Sequence, residues 1–358
     1  MEKFSGFKDR NLAELLRGRI GELAPPEKVK ICHVCGTHEW TITHSGLRDL
    51  LPENISLIAG PGCPVCIVPA REIDEAVWLA QNGVTIATFG DMFRAPGSDL
   101  SLSDARGRGA DVRVVYSVRD TVAMARREPE REFVFFAIGF ETTTPMNAVE
   151  IPGCPENMSF LTSHRLIPPA MEFLAEMPDL NIDGFIAPGH VSTIIGEKPY
   201  RKFPEKYGMP TVIAGFEPLD VLMAVYMLLK QIREGRPRLE NEYSRAVTHE
   251  GNIKAQKATS DVFDIADDAW RGIGVIPSSS LKLKEEFSRK DARKRYEIDV
   301  GPGRDIIPGC SCHLVIIGKI TPDKCPLFMK ACTPEKPKGA CMVSSEGTCR
   351  IWAYEEGS

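Results

Sequence analysis

Short apolar runs that lead into glycine-containing loops and then into helix-like stretches recur from about residue 29 to about residue 220. The runs, with the loops that follow them, are VKICHVCG, ISLIAGPG, VTIATFG, FVFFAIGF, FIAPG and TVIAGF. This alternation predicts a parallel α/β fold. In open sheets of this kind, ligands bind outside the carboxyl ends of the strands, where helix N-termini present free N–H groups. The loops after these runs are therefore the expected functional site.

The length of 358 residues favours two or three domains over a single core. We expect two parallel-sheet α/β lobes with helices on both faces, then a helical connecting region and a small C-terminal domain. The lobes are expected at 1–120, with the CGTHE and GPGCPVC loops, and at 121–235, with the GFETTTP and PGHVS loops. The connecting region is expected at 236–300 and the last domain at 301–358. That tail is poor in aliphatic residues, so we expect it to need a metal centre or docking onto the rest of the protein.

Composition argues against several classes of function. A net charge of -5 and a pI near 5.9 give no electrostatic footprint for nucleic acid. No apolar run approaches the roughly 20 residues that span a bilayer. The N-terminal stretch MEKFSGFKDRNLAELL is charged throughout and lacks the features of a secretory signal. We therefore expect a cytoplasmic protein that does not associate with a membrane. In a reducing compartment, 11 cysteines indicate metal or thiol chemistry before structural disulfides.

Two CxxC pairs lie in the first predicted lobe, CHVC at 32–35 and CPVC at 63–66. A zinc site made of all four thiols is one interpretation, although the gap between the pairs is longer than in most zinc ribbons. The other is a redox-active dithiol at Cys63 and Cys66, because a helix predicted to start near Pro69 would favour a thiolate there. Cys32 lies inside an apolar run and is expected to be buried as a small hydrophobic residue. Cys154 is left without a role.

Cys35 and His38 share one tight loop in CGTHEW, and thiolate with imidazole makes a plausible transition-metal site. Polar residues also follow three later runs. Because the carboxyl ends of parallel strands meet at one edge, these residues are expected to line one cleft, although structural hydrogen bonding would explain each of them singly. They are Glu141 with Thr142 to Thr144, His190 with Ser192, and Glu217 with Asp220.

The tail carries six cysteines: Cys310, Cys312, Cys325, Cys332, Cys341 and Cys349. None of their gaps is a CxxC, which fits a zinc ribbon poorly, and six thiols exceed the four that one cubane cluster needs. HLVIIG after Cys312 has strand character, which would place Cys310 and Cys312 on one face. Spacing alone leaves open a [4Fe-4S] cluster with a leftover pair of thiols, or scattered structural cysteines.

An ordered set of motifs resembles the hydrogenase maturation family HypD along nearly the whole chain. The motifs are CGTHEWTITHSGL, GPGCPVCIVP, GFETTTP, APGHVSTIIG, GFEPLD and the tail from PGCSC through CPLF to ACTPEKPKGACMVSSEGTC. The resemblance implies a role in building the Fe(CN)2CO group of [NiFe] hydrogenases, with a HypC-type chaperone and with cyanide received through a HypE-type carrier. One departure is Trp40, where many family members have a second histidine.

The resemblance also implies roles for individual residues. Cys35, with His38 in the same motif, would hold the iron that is being decorated, and Cys63 with Cys66 would form a nearby redox pair. By similarity of the tail to ferredoxin:thioredoxin reductase, an exchangeable disulfide would join Cys312 to Cys341. The [4Fe-4S] cluster would then be held by the remaining four thiols of the tail, Cys310, Cys325, Cys332 and Cys349. The residues 301–358 would thus form an iron–sulfur domain.

Two functions from different classes follow from these residues. The first is a redox-active scaffold on which the iron centre is assembled. The second is a general iron–sulfur-dependent thiol/disulfide oxidoreductase that would reduce unrelated protein disulfides through CPVC, without a HypC-type partner. A purely structural zinc protein is a third alternative.

Overall fold

A computed structural model describes residues 9–355, and the statements below concern these residues. Residues 1–8, which carry part of the charged N-terminal stretch, and residues 356–358 lie outside the described residues. Within residues 9–355, no helix is both long and apolar enough to cross a membrane. The strands are β1 Val29–His33, β2 Ile55–Ala59, β3 Thr85–Thr88, β4 Val112–Val114, β5 Phe133–Gly139, β6 Met158–Arg165, β7 Gly184–Pro188, β8 Thr211–Ala214, β9 Leu239–Asn241, β10 Phe263–Trp270 and β11 Gly274–Leu283.

Helices follow almost every strand, as the alternating sequence predicts. They are α1 Arg10–Leu23, α2 Gly36–His44, α3 Ala70–Gln81, α4 Gly90–Arg94, α5 Leu102–Gly107, α6 Val118–Arg127, α7 Thr144–Glu150, α8 Ile167–Ala175, α9 Gly189–Ile195, α10 Lys202–Tyr207, α11 Pro218–Glu234, α12 Ile253–Val262, α13 Ala292–Arg295, α14 Cys312–Ile316, α15 Ala340–Val343 and α16 Thr348–Glu355.

The strands form two sheets. The first sheet has the order β2-β1-β7-β8-β9, and every pairing in it is parallel. The second sheet has the order β10-β11-β6-β5-β3-β4, in which the pairings among β3 to β6 are parallel. The prediction of an α/β fold built on parallel sheets is therefore confirmed.

The sheets do not follow the predicted segments of the chain. The first sheet takes β1 and β2 from residues 1–120 and β7 and β8 from 121–235, while the second takes β3 to β6 from both. Parallel strands need long crossover connections, and these allow the chain to leave one sheet and return to it later. The domain limits themselves remain a prediction.

Residues 236–300 differ from the helical region that was predicted. They contain the antiparallel hairpin of β10 and β11, which extends the second sheet through pairing of β11 with β6. The hairpin has one solvated face, so polar residues interrupt its apolar pattern. That interruption is why the sequence resembles a charged helix.

Alternation along β5 shows how the core is divided. Val134, Phe136 and Ile138 belong to the core between the two sheets, whereas Phe133 and Phe135 belong to the core on the far face of the second sheet. Because successive side chains of a strand point to opposite faces, a run that is apolar at every position must be covered on both sides. The buried pattern of all seven residues of β5 fits this rule.

The tail packs against the core between the sheets. Val315 and Ile316 of α14 and Met342 of α15 are buried there, together with all six tail cysteines. The prediction of a strand at HLVIIG is wrong, because Cys312–Ile316 forms α14. A short apolar run fits a strand and a buried helix equally well, and here no neighbouring strand pairs with it.

Substituting Phe136→Ala is expected to lower the free energy of unfolding by about 3–5 kcal/mol, because it leaves a cavity in the core between the sheets. The control is Tyr116→Ala, since that ring is 97% exposed and its removal is expected to cost less than about 0.5 kcal/mol. Urea unfolding followed by circular dichroism measures both. Equal losses in the two variants would contradict the assignment of Phe136 to the core.

Candidate functional site

Cys35 stands at the junction of β1 and α2. It is the N-cap residue of α2, and it is half-buried while its neighbour Cys32 is fully buried, as predicted. Burial raises the pKa of Cys35 to about 11, although the nearby backbone N–H groups of His38 and Thr37 oppose that shift. A ligand that replaces the proton, such as a metal ion, would meet a sulfur already oriented by the helix terminus.

The GPGCPVC loop after β2 lies directly on Cys35. A Cβ atom at Gly62 would be 2.4 Å from the backbone nitrogen of Cys35, so a residue larger than glycine would push the loop away. Cys63 and Cys66 are joined by a disulfide, and both are buried. A redox pair must be able to form this bond, so the geometry is compatible with the predicted role.

A small cavity of about 10 Å³ brings cysteines from three parts of the chain together. Cys35, Cys63, Cys66 and Cys341 all line it, and Glu346 lies at the same cavity. The volume suits about one water molecule. We call it the cysteine cavity. Cys341 comes from the tail, and no local pattern of residues indicates that it reaches the CPVC loop.

Glu346 also belongs to a close approach between the tail and α2. A Cβ atom at Gly36 would be 2.6 Å from the backbone oxygen of Glu346, so only glycine leaves room for the tail there. The loop that carries Glu346 is held by Asp91, which accepts hydrogen bonds from Ser345 N at 2.8 Å and from the Ser344 hydroxyl at 3.3 Å. The glycine of the CGTHE motif is therefore needed for this close contact with the tail.

The six tail thiols are buried and close to one another. The neighbouring Cys312 thiol lowers the pKa of Cys310 to about 6. The backbone N–H of Cys349 donates to the Cys341 sulfur at 3.2 Å. Backbone N–H groups donate to the Cys325 and Cys332 sulfurs at 3.4 and 3.3 Å. Gly339 lies among them, since a Cβ atom there would be 3.0 Å from the Cys310 sulfur and 3.3 Å from that of Cys312.

These thiols fit an iron–sulfur cluster by the type and number of their donors. Hydrogen bonds from backbone N–H groups to sulfur are a usual feature of cluster sites. Between residues 9 and 355, however, no three His, Cys, Asp or Glu side chains converge on a single metal ion. Cys312 and Cys341 are free thiols, so their predicted pairing as an exchangeable disulfide stays a prediction.

His38 is fully buried and is fixed in one tautomer. Its Nε2 lies 2.8 Å from the backbone oxygen of Gly215 and must donate to it, which leaves the lone pair on Nδ1. Nδ1 has no hydrogen-bond partner within the described part of the chain. Burial lowers the pKa of His38 to about 3, so the imidazole is neutral, the form that binds metals.

The predicted strand-end residues do not all meet. His190 is exposed and stacks on Phe216 at 3.8 Å, and Phe216 stacks in turn on His38 at 4.9 Å. Glu217 is exposed and caps α11 instead. Glu141 is buried beside a different cavity, which shares no residue with the cysteine cavity.

Trp40 lies on the outer face of α2. Its ring is 51% exposed and stacks on His44 with centroids 4.4 Å apart. A side chain at this position faces solvent, whereas His38 on the same helix is fully buried. The departure from the family pattern at Trp40 therefore leaves the buried part of the site unchanged.

Sequence reasoning did not find the hydrogen-bond network around Glu39. This buried carboxylate accepts hydrogen bonds from Arg48 Nη2 at 2.8 Å and Trp352 Nε1 at 2.6 Å, and its Oε2 lies 2.7 Å from His33 Nε2. Burial alone would raise the pKa of Glu39, but Arg48 and His33 hold it well below its usual value. Trp352 lies one helical turn after Cys349, so the network ties the tail to α2.

Comparisons with known proteins agree on one family. The HypD family model, described as the hydrogenase formation hypA family, matches residues 11–355. A putative hydrogenase expression/formation protein of Methanocaldococcus jannaschii is 48% identical, over 97% of this chain and 98% of its own length. Two hydrogenase maturation factors HypD are each 43% identical over 98% of this chain and 96% of their own, from Cupriavidus necator and Azotobacter vinelandii.

Replacing Glu39 by Gln is expected to lower the free energy of unfolding by about 2–4 kcal/mol at neutral pH, because it removes the charge that pairs with Arg48. The folded-state pKa of Glu39 lies below its unfolded value, so its contribution is complete above about pH 5 and is lost as the pH falls. Urea unfolding at several pH values should show the difference between the two proteins shrinking in acid.

The matched control for this change is Glu53→Gln, at an exposed position. That variant should unfold like the unmodified protein at every pH. A difference between Glu39→Gln and the unmodified protein that stays constant down to about pH 3 would contradict the assigned ionisation.

Proposed function

Since this chain belongs to the HypD family, as its motifs predicted, and is therefore a hydrogenase maturation factor, we propose that it is a redox-active scaffold for assembly of the Fe(CN)2CO group of [NiFe] hydrogenases. The observation that carries this proposal is the cysteine cavity, which is lined by Cys35, the Cys63–Cys66 disulfide and Cys341. It would act with a HypC-type chaperone and receive cyanide through a HypE-type carrier. The work would take place in the cytoplasm.

In this proposal, Cys35 is the thiol that receives the iron. It is the most exposed of the cavity cysteines, and it stands at the N-terminus of α2, where the helix dipole favours the thiolate that a metal binds. His38 does not line the cysteine cavity, and its assignment to the iron site rests on the family motif that it shares with Cys35. Its Nε2 donates to Gly215 O, which leaves the lone pair on Nδ1.

The disulfide supplies the redox function. Reduction of Cys63–Cys66 takes up two electrons and two protons and yields two thiols beside Cys35. Cys341 lines the same cavity, so a tail thiol is placed to exchange with this disulfide. We propose that Cys310, Cys325, Cys332 and Cys349 hold a [4Fe-4S] cluster, which would supply single electrons when bound.

Burial separates this function from the alternative of a general thiol/disulfide oxidoreductase. Cys63 is 6% exposed and Cys66 is fully buried. An enzyme that reduces disulfides of unrelated proteins needs an accessible attacking thiol. The burial of this pair instead suits exchange within the chain, with Cys341 at the same cavity.

Replacing Cys35 by Ala is expected to abolish maturation, because the iron loses its thiolate ligand. Hydrogenase activity in a host that depends on this chain should fall by about a hundredfold or more. The purified complex with the HypC-type partner should lose its infrared cyanide and carbonyl bands. Cys32→Ala is the matched control, since Cys32 is buried three residues away and takes no part. Normal maturation in Cys35→Ala, or absence of both bands from an active unmodified complex, would contradict the scaffold.

The proposed cluster has a separate test. Protein purified without oxygen should contain about four iron and four labile sulfide per chain. Cys310→Ala should lose them, while Cys312→Ala should retain them, because only Cys310 is assigned to the cluster. About one zinc per chain and no labile sulfide would refute the cluster and favour a structural zinc site.

A further inference from the structure

The turn of the β10–β11 hairpin begins with a buried arginine, although hairpin turns normally lie in solvent. This residue, Arg271, is 2% exposed. Its backbone N–H donates to the carbonyl of Ile67 at 2.9 Å, directly after the CPVC loop. At the next position, a Cβ atom on Gly272 would be 2.8 Å from the Cβ of His313, the residue after Cys312. The hairpin turn therefore lies between the CPVC loop and the first tail cysteines.

The Arg271 guanidinium is held by backbone carbonyls alone. It donates hydrogen bonds to Pro96 O at 2.7 Å, to Asp305 O at 3.0 Å and to Val68 O at 3.4 Å. Among residues 9–355 no carboxylate forms an ion pair with it, and the two side-chain oxygens of Asp305 accept backbone N–H groups instead. A buried charge without a paired counter-charge is costly, so this cation needs negative charge in its surroundings.

The tail cysteines can supply that negative charge. Asp305, whose carbonyl binds the guanidinium, lies five residues before Cys310 on the same segment. Burial lowers the pKa of Arg271, and the charges of Cys312, Asp305 and Cys310 oppose that shift. The guanidinium keeps its proton, because arginine is not deprotonated in proteins. A permanent positive charge therefore acts on the two cysteines of the CSC stretch, and it would act on a cluster bound there.

We propose that Arg271 makes the [4Fe-4S] cluster of the tail easier to reduce, by keeping a buried positive charge near its cysteines. This inference rests on the proposed function, in which Cys310 is a ligand of that cluster. Reduction takes one electron from a one-electron donor of low potential and breaks no bond, so negative charge is gained at the site. Net charge is one of the properties that set cluster potentials. In a buried site, where the dielectric is low, an unpaired cation stabilises the added charge strongly.

A redox titration of the full chain tests this inference. The protein is purified without oxygen, dithionite is the reductant, and electron paramagnetic resonance reports the reduced cluster. Arg271→Gln keeps hydrogen-bond donors but removes the charge. At a fixed potential, its ratio of reduced to oxidised cluster should be about tenfold lower, a shift of about 59 mV for one electron. Arg271→Lys restores a charge and should stay within about twofold of the unmodified protein at about pH 6, where a buried lysine keeps its proton more readily.

Asp305→Asn provides a second variant, with an effect of opposite sign. It removes a negative charge that offsets the charge of Arg271, so the ratio of reduced to oxidised cluster should rise about threefold or more. Arg304→Gln is the matched control, because this arginine lies in the same segment but is 59% exposed and screened by water. Its potential should equal that of the unmodified protein. A purely structural role of the segment gives no reason for shifts of opposite sign.

Several results would overturn the inference. One is a ratio in Arg271→Gln that stays within about twofold of the unmodified protein. Another is a tenfold fall in Arg271→Lys or in Arg304→Gln as well, which would mean that the buried charge is not the cause. If Arg271→Gln fails to fold or to bind iron, Asp305→Asn decides, and no rise there overturns the inference.

Iron and sulfide analysis separates this inference from the function on which it rests. Unmodified protein without labile sulfide would refute the cluster, and the inference with it, before any potential is measured. Unmodified protein with a full cluster, whose potential none of the variants changes, would refute the role of Arg271 and leave the proposed function standing.

Discussion

The site depends above all on one buried carboxylate, Glu39. It binds Arg48 and His33 on the side of α2 and Trp352 on the side of the tail, so the tail is fixed relative to the helix that begins after Cys35. A buried carboxylate without these donors would be strongly unfavourable, and with them it holds both elements in one arrangement. Because Trp352 and Cys349 lie on the same helix, α16, this arrangement also fixes where the tail thiols lie. The juxtaposition of Cys35 and Cys341 therefore follows from a contact that contains no sulfur.

Two close backbone contacts, in addition to the Glu39 network, hold distant segments of the chain against the start of α2. Gly62 lets the CPVC loop rest on Cys35, and Gly36 lets the Glu346 loop rest on the start of α2, since a Cβ atom at either position would overlap backbone atoms. Both glycines lie within the motifs that carry the family resemblance. Their effect is steric. Because glycine has no side chain, two segments that are distant in the sequence can come into van der Waals contact at each position. The cysteine cavity is small for the same reason.

The pattern of apolar residues along the sequence correctly predicted those strands whose burial is evident from their own composition. The apolar runs before Cys35, Cys63, Glu141 and His190 became parallel strands, because a strand buried on both faces shows in its own composition. Two features were misjudged. HLVIIG is too short to separate a strand from a helix, and the β10–β11 hairpin has a solvated face that hides its strands. The contact of Trp352 with Glu39 spans 313 residues, and no local pattern contains such information.

The four cysteines of the cavity differ in their exposure to solvent. Cys35 is half-buried, whereas Cys63, Cys66 and Cys341 are at most 6% exposed. Cys35 is therefore the most accessible cysteine of the cavity, while the disulfide and the tail thiol are shielded from bulk water. Shielding lets a reactive disulfide exchange with one thiol of its own chain, because competing thiols in the cell cannot approach it. An iron ion bound at Cys35, as proposed above, would thus lie between the protein surface and the shielded disulfide.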